Sequence, residues 1–164
     1  MIATTPATDT KSVMNRVVEV PVSELTGDQA KYYMRMGLKT KESSGEGITT
    51  RFHTFFCVEE YVMRMARKGL GKVTVFTDVE TKDKWVLQMS VMAVLNRRAN
   101  ANIKKKVSEL IINLMKSKAK DMSHGDMVKA VMAGVFQMKI KKAASKIYPV
   151  RFSEIIKIET LKSA

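Results

Sequence analysis

The chain has 164 residues and 18.5 kDa, is 45% hydrophobic and 27% charged, and holds 8 Gly and 3 Pro. That make-up excludes low-complexity and collagen-like chains, and the length suffices to bury roughly two-thirds of the unfolded surface. Lysine and arginine number 29 against 16 aspartate and glutamate, a net charge of +13 with pI near 9.9, and a domain this basic faces a polyanion.

Residues 1–12 are rich in Thr, Ser and Ala without apolar periodicity, and a flexible tail is expected there, followed by a single α+β domain over 13–164. Strand signals follow at Arg16–Val22, at Lys31–Lys39, where Tyr32, Met34, Met36 and Leu38 alternate with Tyr33, Arg35 and Gly37, and at Thr49–Val58. The segment KESSGEG between the last two reads as a loop. Glu59–Gly69 reads as a short helix stopped by glycine. Lys72–Glu80 and Lys84–Leu95 are rich in Val and aromatics and flank Thr81-Lys82-Asp83, a β-hairpin.

From Ala99 to Lys120 the period changes. Ile103, Val107, Leu110, Ile111, Leu114 and Met115 form one apolar stripe of a helix, with lysines around the remaining surface. Ser123-His124-Gly125-Asp126 has capping-box spacing and starts a second helix near Gly125, with Met127, Val128, Val131, Met132, Val135 and Phe136 on its apolar face. A third helix over Gln137–Ile147 is closed by Pro149, and Val150–Leu161 reads as a final strand returning to the sheet. The expected fold is α+β, a curved, barrel-like, mostly antiparallel sheet with helices packed from the C-terminal half.

The sequence offers no convergent catalytic groups. His53 lies in a strand and His124 beside a helix start, and both read as structural or solvated. Cys57, the single cysteine, sits in the apolar run FFCV and reads as a small core residue; it permits neither an intrachain disulfide nor a zinc cluster. Gly69-Leu70-Gly71 lacks the spacing of a phosphate loop, and the adjacent Glu59 and Glu60 point about 100° apart on a helix. Most of the 13 methionines, such as Met34, Met36, Met89, Met115 and Met132, occupy apolar positions and read as core filling. The start of the chain has no leader-like apolar core, and no stretch approaches about 18 apolar residues. The cytosol is the expected compartment, with no enzyme activity, cofactor or metal.

The basic residues carry the signal. Residues 1–90 hold 13 basic and 11 acidic side chains, whereas residues 91–164 hold 16 and 5, a net of +11. Arg97 and Arg98 stand where a strand yields to a helix, interleaved with Asn96, Asn100 and Asn102, so guanidinium forks, amides and a helix N-terminus face phosphate together. Lys104, Lys105 and Lys106 follow, and Lys139, Lys141, Lys142 and Lys146 form a further cluster. Lys116, Lys118 and Lys120 read equally as a solvated helix face. With aromatic residues at only 7%, contact with RNA leans on phosphates and shape more than on a stacking platform.

Four segments together resemble one family, the archaeal and eukaryotic small-subunit ribosomal protein eS-one, also called S-three-a. They are ITTRFHTFFCVEE (Ile48–Glu60), DVETKDKWVLQM (Asp78–Met89), NRRANANIKKK (Asn96–Lys106) and KAASKIYPVRFSEIIKIETLK (Lys142–Lys162), colinear across about Asn15–Lys162. The chain departs from the family pattern at Lys84-Trp85, where Gly-Tyr is usual, and at Thr54-Phe55. The family's longer basic N-terminal extension and C-terminal tail are not matched, so the resemblance implies nothing about contacts made by those parts. It does imply a structural constituent of the small ribosomal subunit, on the platform near the mRNA exit, supporting translation. Its partners would be small-subunit rRNA, neighbouring platform proteins and mRNA near the exit, with no membrane and no homo-oligomer. Arg97, Arg98, Asn100, Lys104, Lys105 and Lys106 match the family's basic segment and are the first expected rRNA contacts, followed by Lys139, Lys141, Lys142 and Lys146. The alternative is a free-standing RNA- or DNA-binding module, a regulator or chaperone outside the ribosome.

Overall fold

The computed structural model describes residues 13–44 and 47–162, which fall into two units divided after Val58. The tail expected over residues 1–12 lies outside the described residues. The architecture is α+β as expected, with every strand pairing within each unit antiparallel and neither unit's sheet closed into a cylinder. No helix among the described residues is long and apolar enough to cross a membrane.

The first unit is a three-stranded meander of β1 (Val17–Pro21), β2 (Met34–Ser44) and β3 (Gly47–Cys57), with β2 in the middle. Val20, Val22, Met34, Met36, Leu38, Phe55 and Cys57 are buried there. A β-carbon on Gly37 would stand 3.1 Å from Val17 Cγ1 and 3.4 Å from Thr54 Cβ, so the missing side chain lets β1 and β3 crowd β2. Thr40 Oγ1 donates to the Val13 carbonyl at 2.6 Å and satisfies a buried hydroxyl.

Two features of this unit differ from the sequence expectation. Val22–Thr26 is a helical turn, α1, entered from Pro21 and ended by Gly27 at φ +70, and Gln29–Lys31 forms a 3-10 turn where the second strand was to begin. Of the KESSGEG segment expected as a loop, Lys41–Ser44 belong to β2 and Gly47 to β3, and the two residues between lie outside the described residues. Pairing with a neighbouring strand overrides the weak strand propensity of that polar run.

The second unit holds α2 (Glu59–Met65), β4 (Gly71–Glu80), β5 (Val86–Leu95), α3 (Ala101–Asp121), α4 (His124–Met132), α5 (Val135–Ala144) and β6 (Val150–Lys162). Strand β5 lies between β4 and β6. On β4 alternate residues are buried, among them Val73, Val75 and Val79, while Lys72, Thr74 and Phe76 face out. Long helix α3 packs on β4, burying Val107, Ile111, Met115 and Ala119. The opposite face of β5 is covered as well, since Met65 of α2 clusters with Met92 and Val94 beneath Tyr61, Val62, Leu70 and Ile156. Each such apolar side chain contributes about 2 kcal/mol on burial.

The β4–β5 turn closes through hydrogen bonds between Thr81 and Trp85. Lys84 takes φ +61 there, a left-handed conformation that costs a residue with a β-carbon about 1 kcal/mol. The turn is anchored to the α3–α4 junction. Lys82 N–H donates to the Met122 carbonyl at 3.1 Å, His124 N–H donates to Asp83 Oδ2 at 3.0 Å, and the Trp85 and His124 rings stack with centroids 4.3 Å apart. His124 is thus a packing residue, and burial, only partly offset by Asp83, lowers the pKa of its imidazole. The capping box is realised, with Ser123 Oγ accepting from Asp126 N–H at 3.3 Å and donating to Asp126 Oδ2 at 2.8 Å.

Two helices form here as expected, but the break between them falls before Val135 and not between Phe136 and Gln137. Gly134 at φ +76 ends α4, and Val135 and Phe136 open α5. A left-handed glycine is a helix stop that apolar periodicity alone does not reveal.

Strand β6 carries Glu154, whose burial raises its carboxyl to a pKa of about 7, opposed in smaller measure by a hydrogen bond from Gln137. Glu154 Oε2 and Gln137 Oε1 are both buried without a hydrogen-bond partner. The folded state therefore binds this proton more tightly than the unfolded chain, and stability is lost as pH rises from about 4.5 through 7. The loss amounts to about 3 kcal/mol. Glu154→Gln, neutral at every pH, is expected to match the parent near pH 5 and to exceed its stability by about 2–3 kcal/mol at pH 8, as read by denaturant titration at both pH values.

Candidate nucleic-acid interface

The register of the second unit fixes one end of its sheet, where Gly71, Leu95 and Val150 lie opposite one another at the start of β4, the end of β5 and the start of β6. The chain leaves β5 through Asn96, Arg97 and Arg98, all exposed, before α3 begins. Asn96 N–H donates to the Pro149 carbonyl at 3.1 Å, and the Tyr148 hydroxyl donates to the Arg98 carbonyl at a long 3.5 Å. These two bonds tie the β5–α3 junction to the α5–β6 junction. Arg97 and Arg98 are thereby brought to the same end of the unit as Lys146, which precedes Tyr148 by two residues.

Asn100 is the N-cap of α3, but its side chain makes no capping bond, and the first turn of the helix carries no acid. An unspent amide, an uncompensated helix N-terminus and two guanidiniums stand together, the combination that receives phosphate oxygens. Lys104 is half-buried along the packed side of α3, while Lys105 and Lys106 are exposed. Lys106 borders a shallow groove with Leu110, Asn113, Leu114 and Ile147, so the first half of α3 runs beside the segment that follows Lys146.

On α5 the buried residues Phe136, Gln137, Ile140 and Ala144 leave Lys139, Lys141 and Lys142 exposed, and Lys146 lies just beyond the helix end. Lys141 and Lys142 belong to the last turn, where positive charge complements the helix dipole. At 100° per residue Lys139 and Lys141 lie on either side of the buried stripe and Lys142 nearly opposite it, so these three do not form one row. None of the nine predicted basic residues is ion-paired among the described residues, whereas Lys118 and Lys157 pair with Asp121 and Glu159.

The sequence reading did not single out Tyr148, which links the clusters, nor the arginines of a cleft beside α2. There Arg64, Arg67 and Arg151 line one cavity of about 230 Å³ with Phe152. Arg151 and Phe152 follow the sheet end at Val150, and Arg67 precedes it at Gly71. Isolated arginines carry no local pattern, and only strand pairing assembles them. No group of three or more His, Cys, Asp or Glu that could hold a metal exists among the described residues.

The chain as a whole matches known proteins. The model of the Ribosomal S3Ae family matches residues 1–164. The chain is 30% identical over 163 residues to small ribosomal subunit protein eS1 of Sulfurisphaera tokodaii, covering 99% of this chain and 84% of that one. It is 32% identical over 160 residues to small ribosomal subunit protein eS1 of Methanobrevibacter smithii, and 32% over 161 residues to that of Methanothermobacter thermautotrophicus, each match covering 98% of this chain and 83% of the relative.

The basic junction is built against backbone. A β-carbon on Gly71 would stand 2.8 Å from the Arg97 carbonyl oxygen and 3.2 Å from Leu95 side-chain atoms. Gly71→Ala is therefore expected to push the Arg97 backbone outward and to lower stability by about 1–3 kcal/mol. Amide chemical-shift changes centred on residues 95–98, together with a lowered denaturation midpoint, would register both effects.

Proposed function

The chain belongs to the Ribosomal S3Ae family, and from that membership and its basic surface we propose how it serves the small ribosomal subunit. It is a structural protein of that subunit, from a family without enzymes. In the proposed role it binds small-subunit rRNA through the basic end of its second unit, on the platform near the mRNA exit, beside neighbouring platform proteins. The observation that carries this reading is the convergence of Arg97, Arg98 and Asn100 with Lys142 and Lys146 at one sheet end, with no acid pairing any of these cations among the described residues.

The mechanism is electrostatic and geometric. The apolar core holds the ends of β5 and β6 in register, so the spacing of the guanidiniums and ammoniums is set before RNA arrives. Each phosphate they neutralise releases condensed counterions, which gives affinity and a steep dependence on salt. Arginine forks grip phosphate oxygens in pairs, while the lysines act as point charges around them. Contacts of this kind position the protein on folded RNA and leave base identity unread.

Gradient fractionation of lysate at about 0.1 M salt and then at severalfold higher salt tests the assembly. Retention of the chain with small subunits at both salts supports it, and a free pool at both favours a separate RNA-binding role. For the contacts, Arg97→Ala combined with Arg98→Ala is expected to weaken rRNA binding and to lower the slope of log affinity against log salt by about 2, without changing the folded-state spectrum. An unchanged slope would remove these two arginines from the interface.

A further inference from the structure

The cleft beside α2 combines three features that phosphate contact alone does not require. Arg64 leaves the last turn of α2 and Arg67 the turn after it, held by Leu70 N–H donating to the Arg67 carbonyl. Arg151 and Phe152 enter from the start of β6, and Tyr61, Met65 and Leu70 make the floor. No carboxylate lines it, and none of the three guanidiniums is ion-paired among the described residues. Phe152 is 41% exposed in this basic setting, although the strand position would accept a polar residue. The Arg151 guanidinium lies over its ring, 5.5 Å from the centroid, so that two flat cationic and aromatic surfaces are presented together.

We infer that this cleft receives one unpaired nucleotide of the bound RNA, its base stacked on the Phe152–Arg151 surface and its phosphate held by Arg64 and Arg67. The inference rests on the RNA-binding reading and adds a site to it. A cavity of about 230 Å³ is below the usual range of small-molecule pockets, enough for one heteroaromatic ring system and not for a whole cofactor. Unpaired bases are the part of folded RNA that aromatic and guanidinium planes capture, and arginine forks match the attached phosphate. The position agrees as well, because Arg67 and Arg151 flank the same Gly71–Leu95–Val150 row from which Arg97 and Arg98 emerge. A strand of RNA held at the basic junction has its neighbouring nucleotide within the same end of the unit.

The test titrates the full chain with three labelled RNA hairpins of one stem sequence: fully paired, with a single-uridine bulge, and with an abasic bulge that keeps the phosphate. The parent protein is expected to bind the uridine bulge about tenfold tighter than the paired stem, and the abasic bulge to lose most of that gain. Phe152→Leu, which keeps an apolar side chain of similar bulk, is expected to erase the preference while leaving the paired stem bound as before. Arg64→Gln with Arg67→Gln is expected to weaken the bulged RNA more than the paired one. Equal affinity of the parent for bulged and paired stems, or an intact preference in Phe152→Leu, overturns the cleft as a base site while the RNA-binding reading stands. Absence of salt-dependent binding to the paired stem overturns that reading and the cleft with it.

Discussion

From Met89 to Leu95 strand β5 is buried on both faces, and most of the second unit follows from the need to cover it. Leu87, Met89, Val91, Met92, Ala93, Val94 and Leu95 are all buried in a strand whose successive side chains point to opposite sides. A sheet layered on one side only would leave Met92 and Val94 in water. Helix α3 closes one face against β4, and α2 closes the other through Met65. Once both covers are seated, the end of β4 is fixed against β5, because a slip of β4 by one residue would exchange its buried and exposed side chains. The residues proposed to contact RNA, Arg97 and Arg98 among them, stand at that end, on a frame set by the packing of β4, β5 and β6.

Elements whose burial follows a regular period are legible in the sequence, and those built by distant partners are not. Alternation made β4 and the hairpin legible, and the stripe Val107, Ile111 and Met115 made α3 legible, because in each the burial period is the structural period. The Ser123–Asp126 box was legible because a cap is a local chemical event. Helix α1 escaped although Pro21 and Gly27 bracket it, since one turn is too short to show a period. The position of the break between α4 and α5 was misjudged by two residues because Val135 and Phe136 continue the apolar run across the left-handed Gly134. Strand pairing through Ser44 and Gly47 escaped because the residues there are polar and the partner strand supplies the structure.

For the interface the division is similar. Charge counting located the basic half, and the Arg97–Arg98 step between strand and helix pointed to a phosphate anchor; both are properties of adjacent residues. That Lys142 and Lys146 share the end of the unit with Arg97 depends on Asn96 meeting Pro149 and Tyr148 meeting Arg98, long-range contacts with no periodic trace. Gly71 shows the limit most sharply. In sequence it is part of a weak Gly-Leu-Gly, and in the structure it is the place where a strand passes too close to the Arg97 carbonyl for any side chain.

The unneutralised cations of the second unit also bear on the free molecule. Of the chain's 29 basic residues, 22 lie after Val58, against 10 acids, so like charges are compressed onto a small surface. In the absence of RNA that crowding opposes the folded state, and added electrolyte relieves it over about one Debye length. In the proposed RNA complex the same electrolyte would compete with the protein for phosphate. In the proposed RNA-binding role, the solitary chain and the assembled one would thus prefer opposite ionic conditions: dilute salt would drive the protein onto RNA when the free chain is least stable, and concentrated salt would stabilise the copy it releases.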